Sequence, residues 1–213
     1  MGKIKDCSLY LVLTEEYANG RDIFDIAKES ISGGVDILQL REKNKPKEDI
    51  FKKANEFSRL CEKENIIFIV NDDPLLAKEV DASGVHIGQE DMFKFPVSRI
   101  RSILGKDKIV GVSTHSMDQF RLANNSDVDY ISFGPIFPTK LKNYFIGTKD
   151  IKNVLNETLK PVFFIGGINL FNIDEILQEG ARNIALIRGI MEAQDIALKT
   201  KAFKDKLKQS EKR

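Results

Sequence analysis

Eight short apolar runs, set between longer segments of helical periodicity, constrain this chain more than any other feature of it. The runs lie at residues 9–13, 37–40, 66–70, 85–87, 109–112, 130–133, 162–165 and 184–187. They are rich in Val, Ile and Leu and continuously apolar rather than alternating. That is the pattern of parallel strands buried on both faces. Between and after them, residues 21–32, 47–64, 74–79, 97–104, 117–125, 149–158, 170–179 and 195–207 carry apolar side chains at helical spacing. Glycines follow several of these segments, at Gly33-Gly34, Gly105 and Gly180, as helix stops, and Asp73-Pro74 opens one of them.

Eight strand–helix units in 213 residues leave two layouts, a closed barrel or a doubly wound open sheet. The count of eight favours the barrel, and no Gly-x-Gly-x-x-Gly follows the first run. The expected fold is therefore α/β, a single-domain (β/α)8 TIM barrel over residues 1–213, with the Lys-rich residues 204–213 read as a frayed terminal tail. The net charge of +1, from 33 basic and 32 acidic residues, provides no global attraction for nucleic acid or a membrane surface. No apolar stretch approaches the ~20 residues of a membrane span, and residues 1–6 lack the apolar core of a signal peptide. Cys7 and Cys61 have no metal or disulfide spacing and read as inert thiols, so a cytoplasmic location is expected. Oligomeric state stays open, a homo-oligomer included.

Polar and glycine motifs collect where the runs end, not where they begin. The second run leads into Gln39-Leu40-Arg41-Glu42-Lys43, the third into Asn71-Asp72-Asp73, and the fourth into Gly88-Gln89-Glu90-Asp91. The fifth ends in Ser113-Thr114-His115, the sixth leads through Gly134-Pro135 to Lys142, the seventh ends in Gly166-Gly167, and the eighth in Arg188-Gly189. In a barrel all of these ends meet on one rim, where active sites lie. Gln39, Arg41 and Lys43 alternate and so point the same way on an extended segment. Two cations and an amide suit a phosphate or pyrophosphate; the plainer reading is a surface charge cluster. Asp72 and Asp91, from adjacent strand ends, suggest Mg²⁺ bridging to a pyrophosphate, against a helix-capping role that Asp73 fills more naturally. Gly166-Gly167 and Arg188-Gly189 sit where barrels bind phosphate through backbone amides, or are simply tight turns. His86, inside a run, reads as a core or supporting residue, and His115 as a rim residue.

These motifs, Gln-Leu-Arg-Glu-Lys at 39–43, Asn-Asp at 71–72, His-Ile-Gly-Gln-Glu-Asp at 86–91, Gly-Val-Ser-Thr-His at 111–115, Gly-Pro-Ile-Phe-Pro-Thr at 134–139 and Ile-Gly-Gly-Ile at 165–168, occur in an order that resembles the thiamine-phosphate synthase family over nearly the whole chain. The resemblance implies that Gln39, Arg41, Lys43, Asn71, Ser113 and Lys142 hold a hydroxymethylpyrimidine pyrophosphate, with Arg41, Lys43, Lys142 and Ser113 serving catalysis. It implies Mg²⁺ on Asp72 and Asp91, and a thiazole phosphate facing Thr139, Gly167, Ile187 and Arg188. The implied reaction expels pyrophosphate from the pyrimidine methylene and joins that carbon to the thiazole nitrogen. Three departures from the family pattern, Leu141, Phe164 and Arg188, fall on the thiazole side, and Phe164 is expected to narrow the pocket there. Tyr144 and Phe145, within residues 140–147, suggest a water-excluding lid. The competing readings are a thiazole tautomerase-like relative working without Mg²⁺ and a non-catalytic phosphate-ligand-binding barrel.

Overall fold

The computed structural model describes residues 4–43, 45–139 and 143–211. Eight strands, β1 (Leu9–Leu13), β2 (Ile37–Leu40), β3 (Ile67–Asn71), β4 (Gly84–Ile87), β5 (Ile109–Thr114), β6 (Tyr130–Phe133), β7 (Val162–Ile165) and β8 (Ile184–Leu186), pair in sequence order and close into a barrel. Every pairing is parallel, including β8 back onto β1, where Tyr10 stands beside Ala185. The helices are α1 (Ile23–Ser32), α2 (Lys47–Lys63), α3 (Pro74–Glu79), α4 (Val97–Leu104), α5 (Met117–Asn124), α6 (Ile151–Asn156), α7 (Ile173–Gln178), the four-residue α8 (Arg188–Met191) and α9 (Ile196–Glu211). The expected (β/α)8 TIM barrel is thus the observed fold.

Alternation along each strand sorts the side chains into two cores. Leu9, Leu11 and Leu13 of β1 face the helices with Phe68, Phe133 and Phe164, while Tyr10 and Val12 face the barrel axis with Ile37, Ile67, Ile69, Tyr130, Phe163 and Ala185. This corrects the expectation for Phe164. Its ring lies in the helix-facing core, edge-on to Phe133 with centroids 6.3 Å apart, and it is the neighbouring Phe163 that enters the barrel. Phe164 therefore cannot narrow a pocket at the barrel mouth.

The end of the barrel opposite the polar motifs is tied by one carboxylate. Asp36, just ahead of β2, accepts the backbone N–H of Ser8 and of Leu9, each at 2.8 Å, and pairs with Lys204 of α9. Residues 204–211, read as frayed, are helical, with Leu207 fully buried; residues 212–213 lie outside the described residues. The Cys7 and Cys61 side chains are buried, and burial pushes both thiols up to about 12, which keeps them protonated and inert. No helix among the described residues is long and apolar enough to cross a membrane.

Removing the Phe164 ring opens a hole between β7 and the helix layer. Phe164→Ala is expected to lower stability by about 3–5 kcal/mol while leaving ligand affinity at the barrel mouth within about threefold. Urea unfolding and calorimetry check the two halves.

Candidate active site

A cavity of about 360 Å³ opens at the carboxyl ends of the strands, within the range usual for small-molecule sites. Gln39, Arg41, Lys43, Asn71, Asp72, Asp91, Ser113, Thr139 and Ile187, all picked out from sequence, line it together. Two larger clefts, of about 490 and 790 Å³, are lined mainly by helix residues outside the barrel axis.

The acidic edge is built by the β3 and β4 ends. Asp72 adopts a left-handed backbone with φ of 60°, a conformation open to Asp more than to most side chains. Its Oδ1 accepts the Gly88 N–H at 2.8 Å, and Asn71 donates its amide to Oδ2. Asp73 meanwhile caps α3, accepting from the N–H groups of Leu75 and Leu76 at 3.0 Å each, so Asp72 is released from capping. Both Asp72 and Asp91 lie beside Gly88: a Cβ there would stand 3.5 Å from Asp72 Oδ1 and 4.0 Å from Asp91 Oδ2. Burial and the Asp72 carboxylate push the Asp91 carboxyl above its ordinary range, with Lys43 pulling the other way. Lys43 stands 3.9 Å from Asp72 Oδ2. Two crowded carboxylates with a cation on one side are a donor pair in search of more positive charge. Among the described residues no group of three or more His, Cys, Asp or Glu gathers around a single point.

The opposite edge comes from the β6 and β7 ends. Gly166 and Gly167 have φ of 100° and 66°, and a Cβ on either would strike the 135–138 segment, at 2.4 Å from Pro135 Cβ and 2.6 Å from the Pro138 carbonyl. Glycine here lets that segment lie directly on the β7 turn, held by Ile136 N–H on Ile165 O at 2.9 Å and Phe137 N–H on Gly166 O at 3.0 Å. Gly166 reaches the cavity wall; Gly167 stands one residue behind it. Arg188 is turned away, its guanidinium paired with Glu192 one helical turn on, at 2.7 and 3.0 Å, and lying 5.7 Å from the centre of the Tyr17 ring. Neither Gly167 nor Arg188 belongs to the lining, unlike Ile187 between β8 and α8. Lys142 and Leu141 lie outside the described residues. Beyond them, Ile146 and Gly147 bond back to the carbonyls of Pro135 and Ile136, and the Tyr144 ring meets His115 edge-on at 6.2 Å.

Below the rim, Tyr10, Tyr130 and Ser132 are residues that the sequence does not single out, whereas His86 takes the core, supporting place expected of it. Tyr10, His86 and Ser132 line the cavity from below, and Tyr130 packs beside them. Tyr130 reaches His86 because β5 carries Gly111 opposite it. A Cβ at 111 would fall 2.0 Å from the tyrosine Cζ. His86 bonds Tyr130 through Nδ1 at 2.9 Å and Ser113 through Nε2 at 2.8 Å. His115, at the wall, donates from Nδ1 to the Gly134 carbonyl at 2.6 Å.

A family model described as thiamine monophosphate synthase matches residues 9–190. The chain belongs to that family. It is 40% identical over 203 residues to the thiamine-phosphate synthase of Shouchella clausii, covering 94% of this chain and 96% of that one. The thiamine-phosphate synthase of Persephonella marina is 38% identical over 202 residues, covering 94% and 95%. Among solved structures, thiamine phosphate pyrophosphorylase from Pyrococcus furiosus superposes with a TM-score of 0.87 at 28% identity, covering 96% of each chain. Family membership makes the activity a transferase of thiamine biosynthesis. Neither the tautomerase-like reading nor the non-catalytic one gains support from these relatives.

Burial first, and His115 second, hold the His86 imidazole down at about 3, against 6.5 for the free side chain. The unfolded chain thus binds a proton that the fold refuses, so this group costs stability as the pH falls from 6.5 towards 3. Between about pH 7.5 and 4.5, the native chain should lose about 2–3 kcal/mol more than His86→Gln. Urea midpoints at the two pH values measure the difference, and equal losses would contradict it.

Proposed function

We propose that the cavity joins 4-amino-2-methyl-5-hydroxymethylpyrimidine pyrophosphate to 4-methyl-5-(2-hydroxyethyl)thiazole phosphate, giving thiamine phosphate and pyrophosphate. The observation that carries this reading is that Arg41 and Lys43 line the same cavity as Asp72 and Asp91. The methylene C–O bond breaks with its electron pair leaving on pyrophosphate, and the thiazole nitrogen lone pair forms the new C–N bond. No side chain has to act as a nucleophile. The protein's part is to receive the developing negative charge and keep water away.

Arg41 offers a fork of donors to the departing pyrophosphate and Lys43 a point charge beside it, with Lys142 completing the cationic set. Gln39, Asn71 and Ser113 hold the pyrimidine end. Thr139, Ile187 and the Gly166-Gly167 turn face the thiazole phosphate. Arg188 joins them only if its pair with Glu192 opens. Mg²⁺ fits the acidic edge: it takes hard oxygen donors, commonly one or two carboxylates plus substrate phosphate oxygens, and so needs a pair rather than a full protein cage. When bound on Asp72 and Asp91, it would neutralise charge on the leaving pyrophosphate. Tyr144, braced on His115, supports a lid role for the segment after residue 142.

Incubation with both substrates and Mg²⁺ should yield thiamine phosphate and pyrophosphate in equal amounts, and chelation should stop it. A folded chain that forms no thiamine phosphate would sink the assignment. Arg41→Met should lower kcat by about 10²–10³-fold, the scale of losing a donor to transition-state charge.

A further inference from the structure

The cavity floor is a row of hydrogen-bonding side chains in direct sequence. Gln39 Nε2 donates to the Tyr10 hydroxyl, and the Tyr10 and Tyr130 oxygens are 2.9 Å apart. Tyr130 meets His86 Nδ1 at 2.9 Å, and His86 Nε2 meets Ser113 Oγ at 2.8 Å. The Ser132 hydroxyl donates to that same Oγ at 3.5 Å. A hydroxyl has one proton to give, and a neutral imidazole has one N–H and one acceptor nitrogen. The direction of the proton at one member therefore sets the direction at the next.

Gln39 supplies the asymmetry, because an amide nitrogen only donates. Tyr10 accepts from it and passes its own proton to Tyr130. If Tyr130 donated to Tyr10 instead, the Tyr10 proton would lack an acceptor among the described residues, in a fully buried place. Tyr130 then donates to Nδ1 of His86, the ring proton sits on Nε2, and it goes to Ser113.

We propose that the row Gln39–Tyr10–Tyr130–His86 fixes the Ser113 hydroxyl as a donor towards the substrate. His86 Nε2–H takes one acceptor position of its oxygen at 2.8 Å, the Ser132 oxygen at 3.5 Å is too far to hold the Ser113 proton firmly, and that proton is left to point into the cavity. The substrate atom facing Ser113 must then be an acceptor, a pyrimidine ring nitrogen or a pyrophosphate oxygen, and not the exocyclic amino group. This identification of the facing atom rests on the pyrimidine pyrophosphate reading above. Tyr10, Tyr130 and His86 are positioning residues that act through Ser113. Their environment keeps the row neutral: burial drives the imidazole proton affinity down and raises that of both phenols. The Tyr130 and His86 rings also stack, with centroids 5.5 Å apart.

The direct test needs no substrate. In the ¹⁵N-labelled full chain near pH 7.5, long-range proton–nitrogen correlation of the His86 ring should show one neutral tautomer, protonated on Nε2. A ring protonated on Nδ1, or on both nitrogens, overturns the proposal. A second test separates positioning from mere packing. Tyr10→Phe and Tyr130→Phe keep the ring shapes and should each lower kcat/KM by about 3–10-fold, the scale of one redirected hydrogen bond. In a Ser113→Ala background, the same changes should have no further effect, whereas additive losses refute action through Ser113. Should the chain form no thiamine phosphate, the substrate reading fails while the tautomer measurement still decides the row's direction.

Discussion

Closure of β8 onto β1 is the constraint from which the rest of the molecule follows. The Ile184 N–H meets the Ser8 carbonyl at 2.9 Å, and Asp36 binds the amides of Ser8 and Leu9 beside that seam. Once the sheet closes, alternate side chains must point at the axis, and the space there is filled to native density or lost. Ile37, Ile67, Ile69 and Phe163 fill the axis with apolar groups. Nearer the mouth, the inward positions pass to Gln39, His86, Ser113 and Ser132, all beside the cavity. The polar floor therefore stands on a dry apolar plug. A dry base strengthens each hydrogen bond above it and makes an unmade one costly.

Floor and rim are built by different means. The floor comes from strand residues whose backbone is held in the barrel ladder. The rim comes from residues beyond the strand ends, set by local devices: the left-handed Asp72, the Gly88 amide on its carboxylate, and the two glycines under the 135–138 segment. Charge resides on the rim, where Arg41, Lys43, Asp72 and Asp91 line one cavity and Lys43 approaches Asp72 to 3.9 Å. Neutral hydrogen-bonding groups occupy the floor. Such a division suits a reaction that separates charge at one end of a substrate while holding a heterocycle at the other.

Much of this is legible in the sequence, and the differences have physical causes. The strands stood out because burial on both faces makes each run continuously apolar. The same property hides which residues face inward, so the run alone does not show that Phe163 points to the axis and Phe164 to the helices. β5 runs to Thr114, two residues past its apolar run, because Ser113 and Thr114 stay in the ladder beside Ser132 and Phe133. Helices α6 and α7 are shorter than their apolar periodicity suggests. The Asn169 and Asn172 side chains bond the backbone of the turn before α7. The Arg188–Glu192 pair has the spacing of neighbours on a helix and was open to detection. The floor was harder to see, since Tyr10, His86 and Tyr130 look like ordinary members of hydrophobic strands until their shared inward phase is known.

Gly111 has a consequence for anyone who would move this chemistry elsewhere. The Tyr130 ring occupies the volume that any side chain at 111 would need, so the two positions are a single steric unit shared by neighbouring strands. Grafting the charged rim onto another barrel would transfer the visible part of the site. Unless the recipient also had a bare position beside its sixth strand, the transplanted serine would sit on a floor with no tyrosine beneath it. Portability of the site is thus limited by a side chain left out, which no catalogue of its functional groups would include.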